Sequence, residues 1–460
     1  MIRKSFRCLI CLLMISLLLT SCYDGHEIGE FSYIIIIGIE KGEKERFRFT
    51  FQIPLLTMGE EGKGKSEKSA ESVTIEAPSL SNAIKLANTD IAKRLNFMHL
   101  KAIIISEDLA KSGKIGEYIA PIIRYREIRR NTIVIVCKGE AKEFVGKSEP
   151  YSGELISQTI EDVMRKSEET GFFPKVTLND FYDGLKAPYH ALMVTYSAIS
   201  PGAEEAESKS GEESKQEQQG EGSKDKEKGK SSSEENPGKE QGKEDEGSET
   251  QKEVGKDNNG DYYAGEIPRS GGEKIEHFGS VLFDGDMMVG KLTGFETQMV
   301  LITKGEIRTA SFTIQDPIEP DQMVTLEVNE FESPETEIDL ADKNKPLIKI
   351  KLKLEGSIMS IPSGINYEKA ENTELLEKAL EGFLADGIQR SFEKCKEAKT
   401  DVFNFGTVAV KNFLTIPEWE EYNWLTKFPE SELKVEVDYT IRRTGHLIKT
   451  VPIFSTEGKE

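Results

Sequence analysis

Cysteine is scarce in this chain: there are five in 460 residues. Cys8, Cys11 and Cys22 fall near the start, which leaves Cys137 and Cys395 for everything that follows. So few thiols exclude a disulfide framework and a cysteine-based zinc module. Cys137 stands in a strand-like apolar run and Cys395 in a helix-like one, so both read as buried small hydrophobes, with a disulfide between them as the alternative. Histidine is equally thin. His26, His99, His190, His277 and His446 are scattered, and none pairs with a second ligand at helical or hairpin spacing, so no metal site is expected. Neither a Gly-x-Ser-x-Gly elbow nor a His-Glu-x-x-His helix occurs, and no cofactor motif survives scrutiny, so the chain reads as a non-enzyme. A basic patch is missing too. The formal charge of -21 argues against a partner that is nucleic acid or phospholipid headgroup.

Long hydrophobic runs are also lacking. The longest at the start, Cys8 to Leu19, has roughly a dozen residues, where a helix needs about 20 to cross a bilayer. It follows Arg3, Lys4 and Arg7 and leads into Leu19-Thr20-Ser21-Cys22, the order of a secretory signal. The Leu-Thr-Ser-Cys ending places a thiol nucleophile beside small residues, as lipid transfer requires; an uncleaved anchor with an incidental cysteine is the alternative. Residues 1–21 are therefore expected to be removed as a lipoprotein signal peptide. Cys22 is the one expected site of lipidation. It would carry a thioether-linked diacylglyceryl group, with an amine left for a third chain such as palmitate, and two acyl chains are enough for stable anchoring. Cys8-Leu9-Ile10-Cys11 lies inside the discarded segment and is no redox motif.

What is abundant is Glu, Lys, Ser, Gly and Gln between about Ala203 and Gly260. The stretch 202–260 holds 18 acidic residues against 10 lysines and almost nothing apolar, so it cannot offset the entropy of ordering. It reads as a hydrated linker at 202–265, between an N-terminal region (22–201) and a C-terminal region (266–456). In the first, Tyr33 to Ile39, Lys101 to Ser106 and Thr132 to Cys137 look like buried strands. Phe47, Phe49, Phe51 and Ile53 alternate as a half-buried strand, and a helix from Ser79 would align Leu80, Ala83, Ile84, Ala87, Ile91 and Leu95. In the second, Phe278 to Phe283 and Met287 to Val289 flank Asp284-Gly285 as a hairpin. Strands are expected at Ile307 to Ile314, Met323 to Val328, Leu347 to Leu354 and Leu433 to Ile441. A helix from Asn372 to Ala398 would carry Leu375, Leu376, Ala379, Leu380, Phe383, Leu384 and Ile388 as its stripe. The fold class is α+β, a multidomain mixed α/β lipoprotein with two regions separated by a disordered acidic linker.

Three clusters invite chemistry and have simpler readings. Gly59-Glu60-Glu61-Gly62-Lys63-Gly64-Lys65-Ser66 fits the phosphate-loop pattern, yet the next apolar segment, Val73-Thr74-Ile75, is a strand where a helix is needed, so a glycine-rich hairpin is expected. Glu418, Glu420 and Glu421 surround Trp419 and Trp424, read as a core aromatic pair with acids on the wet face. Arg124, Arg126, Arg129 and Arg130 read as a solvated helix face.

Short segments in a fixed order then carry a resemblance. Cys22-Tyr23-Asp24-Gly25-His26-Glu27-Ile28, Gly38-Ile39-Glu40-Lys41-Gly42, Arg126-Glu127-Ile128-Arg129-Arg130 and Lys138-Gly139-Glu140-Ala141 precede the linker. Phe278-Gly279-Ser280-Val281-Leu282-Phe283, Val289-Gly290-Lys291-Leu292, Glu296-Thr297, Asp401-Val402-Phe403-Asn404-Phe405-Gly406, Trp419 and Trp424 follow it. Together they resemble the Ger(x)C family of spore-germination lipoproteins, the C subunits of nutrient germinant receptors. That resemblance implies three mixed α/β domains and a non-catalytic role in receptor assembly and function. It also implies integral A and B subunits as partners, and a place on the outer face of the cytoplasmic membrane, the inner membrane of the spore. The reading kept beside it is a solute-binding lipoprotein of an importer.

Overall fold

The continuous apolar runs become the parallel centre of a sheet. The structure, a computed structural model, describes residues 27–55, 70–148, 156–201 and 260–443. Ahead of the long gap come β1 (Phe31–Tyr33), β2 (Ile36–Lys41), β3 (Phe47–Pro54), β4 (Ala70–Ala77), β5 (Arg94–Asn96), β6 (Ala102–Ser106), β7 (Ile133–Cys137) and β8 (Leu192–Ile199). After it come β9 (Ile275–Asp284) and β10 (Met287–Leu292). Eight of these form one sheet in the order β10-β9-β8-β7-β6-β2-β3-β4. β2, β6, β7 and β8 run parallel, with antiparallel hairpins on both flanks. Parallel strands are covered on both faces, which is why β6 and β7 are apolar and buried at nearly every position.

On one face α1 (Leu80–Asp90) and α2 (Ile115–Ile123) pack their apolar stripes against Ile37, Ile39, Ile103, Ile105, Val134 and Val136. The other face holds α3 (Ala141–Lys147) and α4 (Ile156–Thr170), which close over Ile36, Ile104 and Ile135 with Phe144, Val145 and Met164; α5 (Leu178–Gly184) returns to the first face. Ser79 caps α1 by accepting from Asn82 N at 3.3 Å, and Leu80, Ala83, Ile84 and Ala87 form its buried stripe. Ile91 is the C-cap and Leu95 belongs to β5, so the helix is a turn shorter than its periodicity suggests. The half-buried reading of β3 is corrected as well. Thr50 and Gln52 are buried, because α3 covers the second face and Gln52 Nε2 donates to Val145 O at 2.8 Å. The arginine run is not helical. α2 contains Pro121 and stops at Ile123, so Arg124 to Arg130 form turns at the surface.

β8 and β9 are neighbours although residues 200–274 separate them: Ile199 pairs with Ile275, and Ser200 N donates to Lys274 O at 2.8 Å. The chain thus leaves this sheet after Ile199 and re-enters it at Ile275, beside the strand it left. Such an insertion is tolerated thermodynamically, since each doubling of loop length costs only about 0.6 kcal/mol.

The second sheet starts beyond α6 (Gly294–Lys304). It contains β11 (Thr309–Gln315), β12 (Met323–Asp339) and β13 (Leu347–Ser360), then α7 (Ala370–Glu397) and β14 (Glu432–Arg443), in the order β11-β12-β13-β14. Its inner face packs Phe312, Leu326, Ile348, Ile350 and Leu352 against Leu376, Leu380, Leu384 and Ile388 of α7. Met193, Leu282 and Leu292 from β8, β9 and β10 join that same core, so the two sheets share apolar contacts. β12 and β13 run well past their expected ends, and Leu375 faces solvent instead of joining the stripe. The architecture is α+β with mixed sheets. Among the described residues no helix is long and apolar enough to cross a membrane.

Candidate functional site

One buried polar cluster lies where the chain beyond α7 meets the segment that enters β8. Beyond α7 the chain turns through Asn404 at φ 64, in the left-handed region, and Asp401 is buried at the base of that turn. Its carboxylate accepts from Phe405 N at 3.1 Å, Gly406 N at 2.7 Å and Trp424 Nε1 at 2.8 Å, while its backbone oxygen accepts from Ala191 N at 2.9 Å. Gly406 allows the close approach. A Cβ there would stand 1.8 Å from Tyr189 O and 2.8 Å from Trp424 Cδ1. One turn therefore ties Trp424 to the segment that enters β8. Burial pushes the Asp401 carboxyl up to about 6, against the pull of its three N–H donors.

A second knot joins residues from both sides of the long insertion. Buried Glu107, just after β6, accepts from Tyr196 on β8 at 2.5 Å, and Lys111 lies 2.6 Å away. Lys291 on β10 reaches Glu107 at 3.5 Å, with its ammonium 5.0 Å from the Tyr196 ring centre and 5.3 Å from that of Tyr263. Lys394 of α7 then bonds Tyr263 Oη at 3.0 Å and Glu296 at 2.5 Å, and Glu296 completes a capping box with Thr293 at the start of α6. Burial opposes ionisation of Glu107, but Lys111, Tyr196 and Lys291 outweigh it and hold the carboxyl below its ordinary value. Each charge in the knot faces a partner, so its chemistry is positional.

A third cluster lies at the far edge of the first sheet. Arg48 on β3 meets Glu40 at 3.0 Å, Glu43 at 2.5 Å and Glu76 at 3.1 Å, and Glu76 also accepts from the backbone of Glu43, Lys44 and Glu45. Those backbone donors, with Arg48, draw the Glu76 carboxyl down to about 2. The cluster fastens the turn between β2 and β3, and gives Glu40 of the Gly-Ile-Glu segment a structural role.

The remaining candidates are placed as follows. Cys137 and Cys395 are free and buried, and burial raises both thiols well above the usual range, so neither is a thiolate nucleophile and the two do not pair. His277 is half-buried beside Ser197, with Nδ1 2.7 Å from its Oγ, and desolvation brings its pKa down to about 4. His99 sits edge-on to Tyr33, while His190 is lowered by burial and nearby Lys304. His26 and His446 lie outside the described residues, as do Cys22, the octet Gly59 to Ser66 and most of the acidic insertion. The strands flanking that octet pair antiparallel, Pro54 against Ala70. Trp419 and Trp424 are core, and Glu418, Glu420 and Glu421 are exposed, as read from the sequence. Among the described residues no group of three or more His, Cys, Asp or Glu could hold a metal ion. One open cleft of about 640 Å³ is lined by Ser167, Glu168, Lys175, Glu306 and Arg308, with both charge signs on its wall. Sequence reasoning missed the roles of Asp401, Glu107, Tyr196 and Lys394. The Thr293 to Glu296 spacing of a capping box was a usable signal for one part of the second knot.

Comparison with known proteins places these features in a family. The Spore germination protein N-terminal domain matches residues 24–199, and the Spore germination B3/GerAC like C-terminal domain matches residues 278–445. The chain belongs to the Ger(x)C family. The matches stop at Ile199 and resume at Phe278, so the interval between them contains the whole connection from β8 to β9. The YfkR protein of Bacillus subtilis (strain 168), a putative spore germination protein, is 21% identical over 455 residues, covering 95% of this chain and 97% of its own. Spore germination protein KC of the same organism is 26% identical over 195 residues, 41% of this chain and 47% of that protein. The crystal structure of the GerBC protein covers 88% of this chain and 96% of its own at 15% identity, with a TM-score of 0.46. As a Ger(x)C protein, the chain is a spore-germination protein.

Proposed function

We propose that this chain is the lipid-anchored C subunit of a nutrient germinant receptor, a non-catalytic component needed for receptor assembly in spore germination. The observation that carries the reading is the pair of family matches, one on each side of the insertion. The Leu-Thr-Ser-Cys signal supports the anchor, with lipid on Cys22 holding the folded part against the outer face of the cytoplasmic membrane, the inner membrane of the spore. The non-catalytic part of the proposal draws support from the described titratable groups: the two thiols are buried and protonated, and the Glu107, Asp401 and Arg48 clusters are engaged internally. On this reading the chain acts by placement. It keeps a folded surface beside integral A and B subunits, and the lipid replaces the search in three dimensions by one in the plane of the membrane.

Replacing Cys22 by Ala tests the anchor. The expected result is release of the chain from the membrane fraction and a strong loss of nutrient-triggered germination; normal retention together with normal germination contradicts the proposal. Tight binding of a small nutrient by the chain without integral partners would instead favour the importer reading.

A further inference from the structure

Leu414 is 96% exposed and Ile416 71% exposed, whereas the next most exposed large apolar side chain among the described residues, Met359, reaches 58%. Isolated apolar side chains at a surface need no explanation, but two this exposed on one short segment do. The mount is firm. Phe413, just before Leu414, packs its ring 5.2 Å from Trp419 and 5.0 Å from Tyr422. Thr415 Oγ1 accepts from Glu418 N at 3.4 Å to cap the helix Ile416–Tyr422, and Pro417 lies in its first turn. Asn412 Nδ2 donates to Ala409 O at 3.3 Å on the other side. The protein has thus already ordered the backbone that presents Leu414 and Ile416, which lowers the entropy that binding must still remove.

The charge around the knob selects its partner. Exposed Glu418, Glu420 and Glu421 follow it, and Lys411 is the only cation in residues 411–422. Three carboxylates beside the apolar tip disfavour insertion into a bilayer with anionic headgroups. They equally disfavour the same tip on a second copy of the chain, where acids would face acids. An apolar pocket rimmed by lysine or arginine on another protein satisfies both halves of the surface.

We propose that Leu414 and Ile416 are the anchor of a docking surface for a membrane-embedded protein subunit, entering an apolar pocket with a basic rim while Glu418, Glu420 and Glu421 face that rim. The inference rests on the reading that the chain works beside integral subunits, and names the face that meets them. Interfaces concentrate their binding energy in a few central side chains, so removing this pair has a large effect.

The test uses the full-length, lipidated chain in spore membranes, solubilised in mild detergent and recovered with the integral A and B subunits. Leu414→Asp combined with Ile416→Asp is expected to reduce recovery roughly tenfold or more. Glu418→Lys combined with Glu420→Lys and Glu421→Lys is expected to reduce it by less, with a weaker dependence on salt. The melting temperature stays that of the wild type in both, because the altered side chains are exposed, and Met359→Asp serves as a control that leaves recovery intact. A photoreactive side chain at position 414 is expected to cross-link to an integral subunit. Undiminished recovery of the Leu414/Ile416 variant, when the wild type is recovered, overturns this surface alone, as does cross-linking to lipid or to a second copy. Failure to recover the wild type with either integral subunit overturns the receptor-subunit reading and the inference together.

Discussion

The two larger sheets solve the problem of burial differently. The eight-stranded sheet has a parallel centre covered by helices on both faces, so β6 and β7 bury every side chain they carry. The four-stranded sheet buries one face against α6 and α7 and leaves the other to water. There Lys349, Lys351 and Lys353 pair with Glu337 at 3.5 Å, Glu436 at 2.5 Å and Glu332 at 2.5 Å. The difference locates tolerance to change: the first sheet resists substitution on both faces, and the second offers a face that can vary without unfolding the chain.

The largest effect is expected at Phe49, fully buried in β3 and stacked on Phe51 at 6.5 Å. Phe49→Ala should cost about 3–5 kcal/mol in urea denaturation. A loss below about 1 kcal/mol would break the claim that this sheet is packed on both faces. Gly406→Ala comes next, at about 1–3 kcal/mol, since its new methyl group must displace Tyr189 O and the Trp424 ring. Thermal melting of that variant would show whether the turn at Asp401 joins the two sheets.

The pH response sharpens the contrast, because Asp401 and Glu76 pull in opposite directions. Asp401 has a folded-state pKa of about 6 against an ordinary 3.8, so its contribution to stability is fully present below 3.8 and is lost as pH rises through 6. Glu76 has a folded-state pKa of about 2 against an ordinary 4.5, so its contribution is present above 4.5 and is lost as pH falls toward 2. Asp401→Asn should flatten the stability profile between about pH 4 and 6, and Glu76→Gln the profile below pH 4.5, read as urea midpoints. The same slope change from both variants would contradict the assignment. The smallest effect is expected from Lys351→Ala on the wet face, with a melting temperature indistinguishable from that of the wild type.

Much of this architecture is legible in sequence, and the failures have physical causes. Ile103 to Ile105 and Ile133 to Cys137 announce buried parallel strands because both faces must be apolar. Ser79 marks the start of α1 through its capping geometry. Thr50 and Gln52 hide the burial of β3, since a polar side chain can be buried once it has a hydrogen-bond partner, as Gln52 has in Val145 O. Glu332, Glu335 and Glu337 hide the second half of β12, because a strand with one wet face needs apolar residues only on the other. The pairing of Ile199 with Ile275 is non-local, and no pattern within either strand reveals it. At the junction, Asp401 and Gly406 are visible as a family segment, but the turn that makes them partners of Tyr189 and Trp424 is not.

The family's two regions form one body, joined through β8 and β9, with residues 203–258 inserted in the connection between those strands. Calorimetric unfolding of the chain lacking residues 203–258, compared with the full chain, tests it most directly. A single cooperative transition at the same temperature is expected in both. Two separate transitions, one for each sheet, would contradict it.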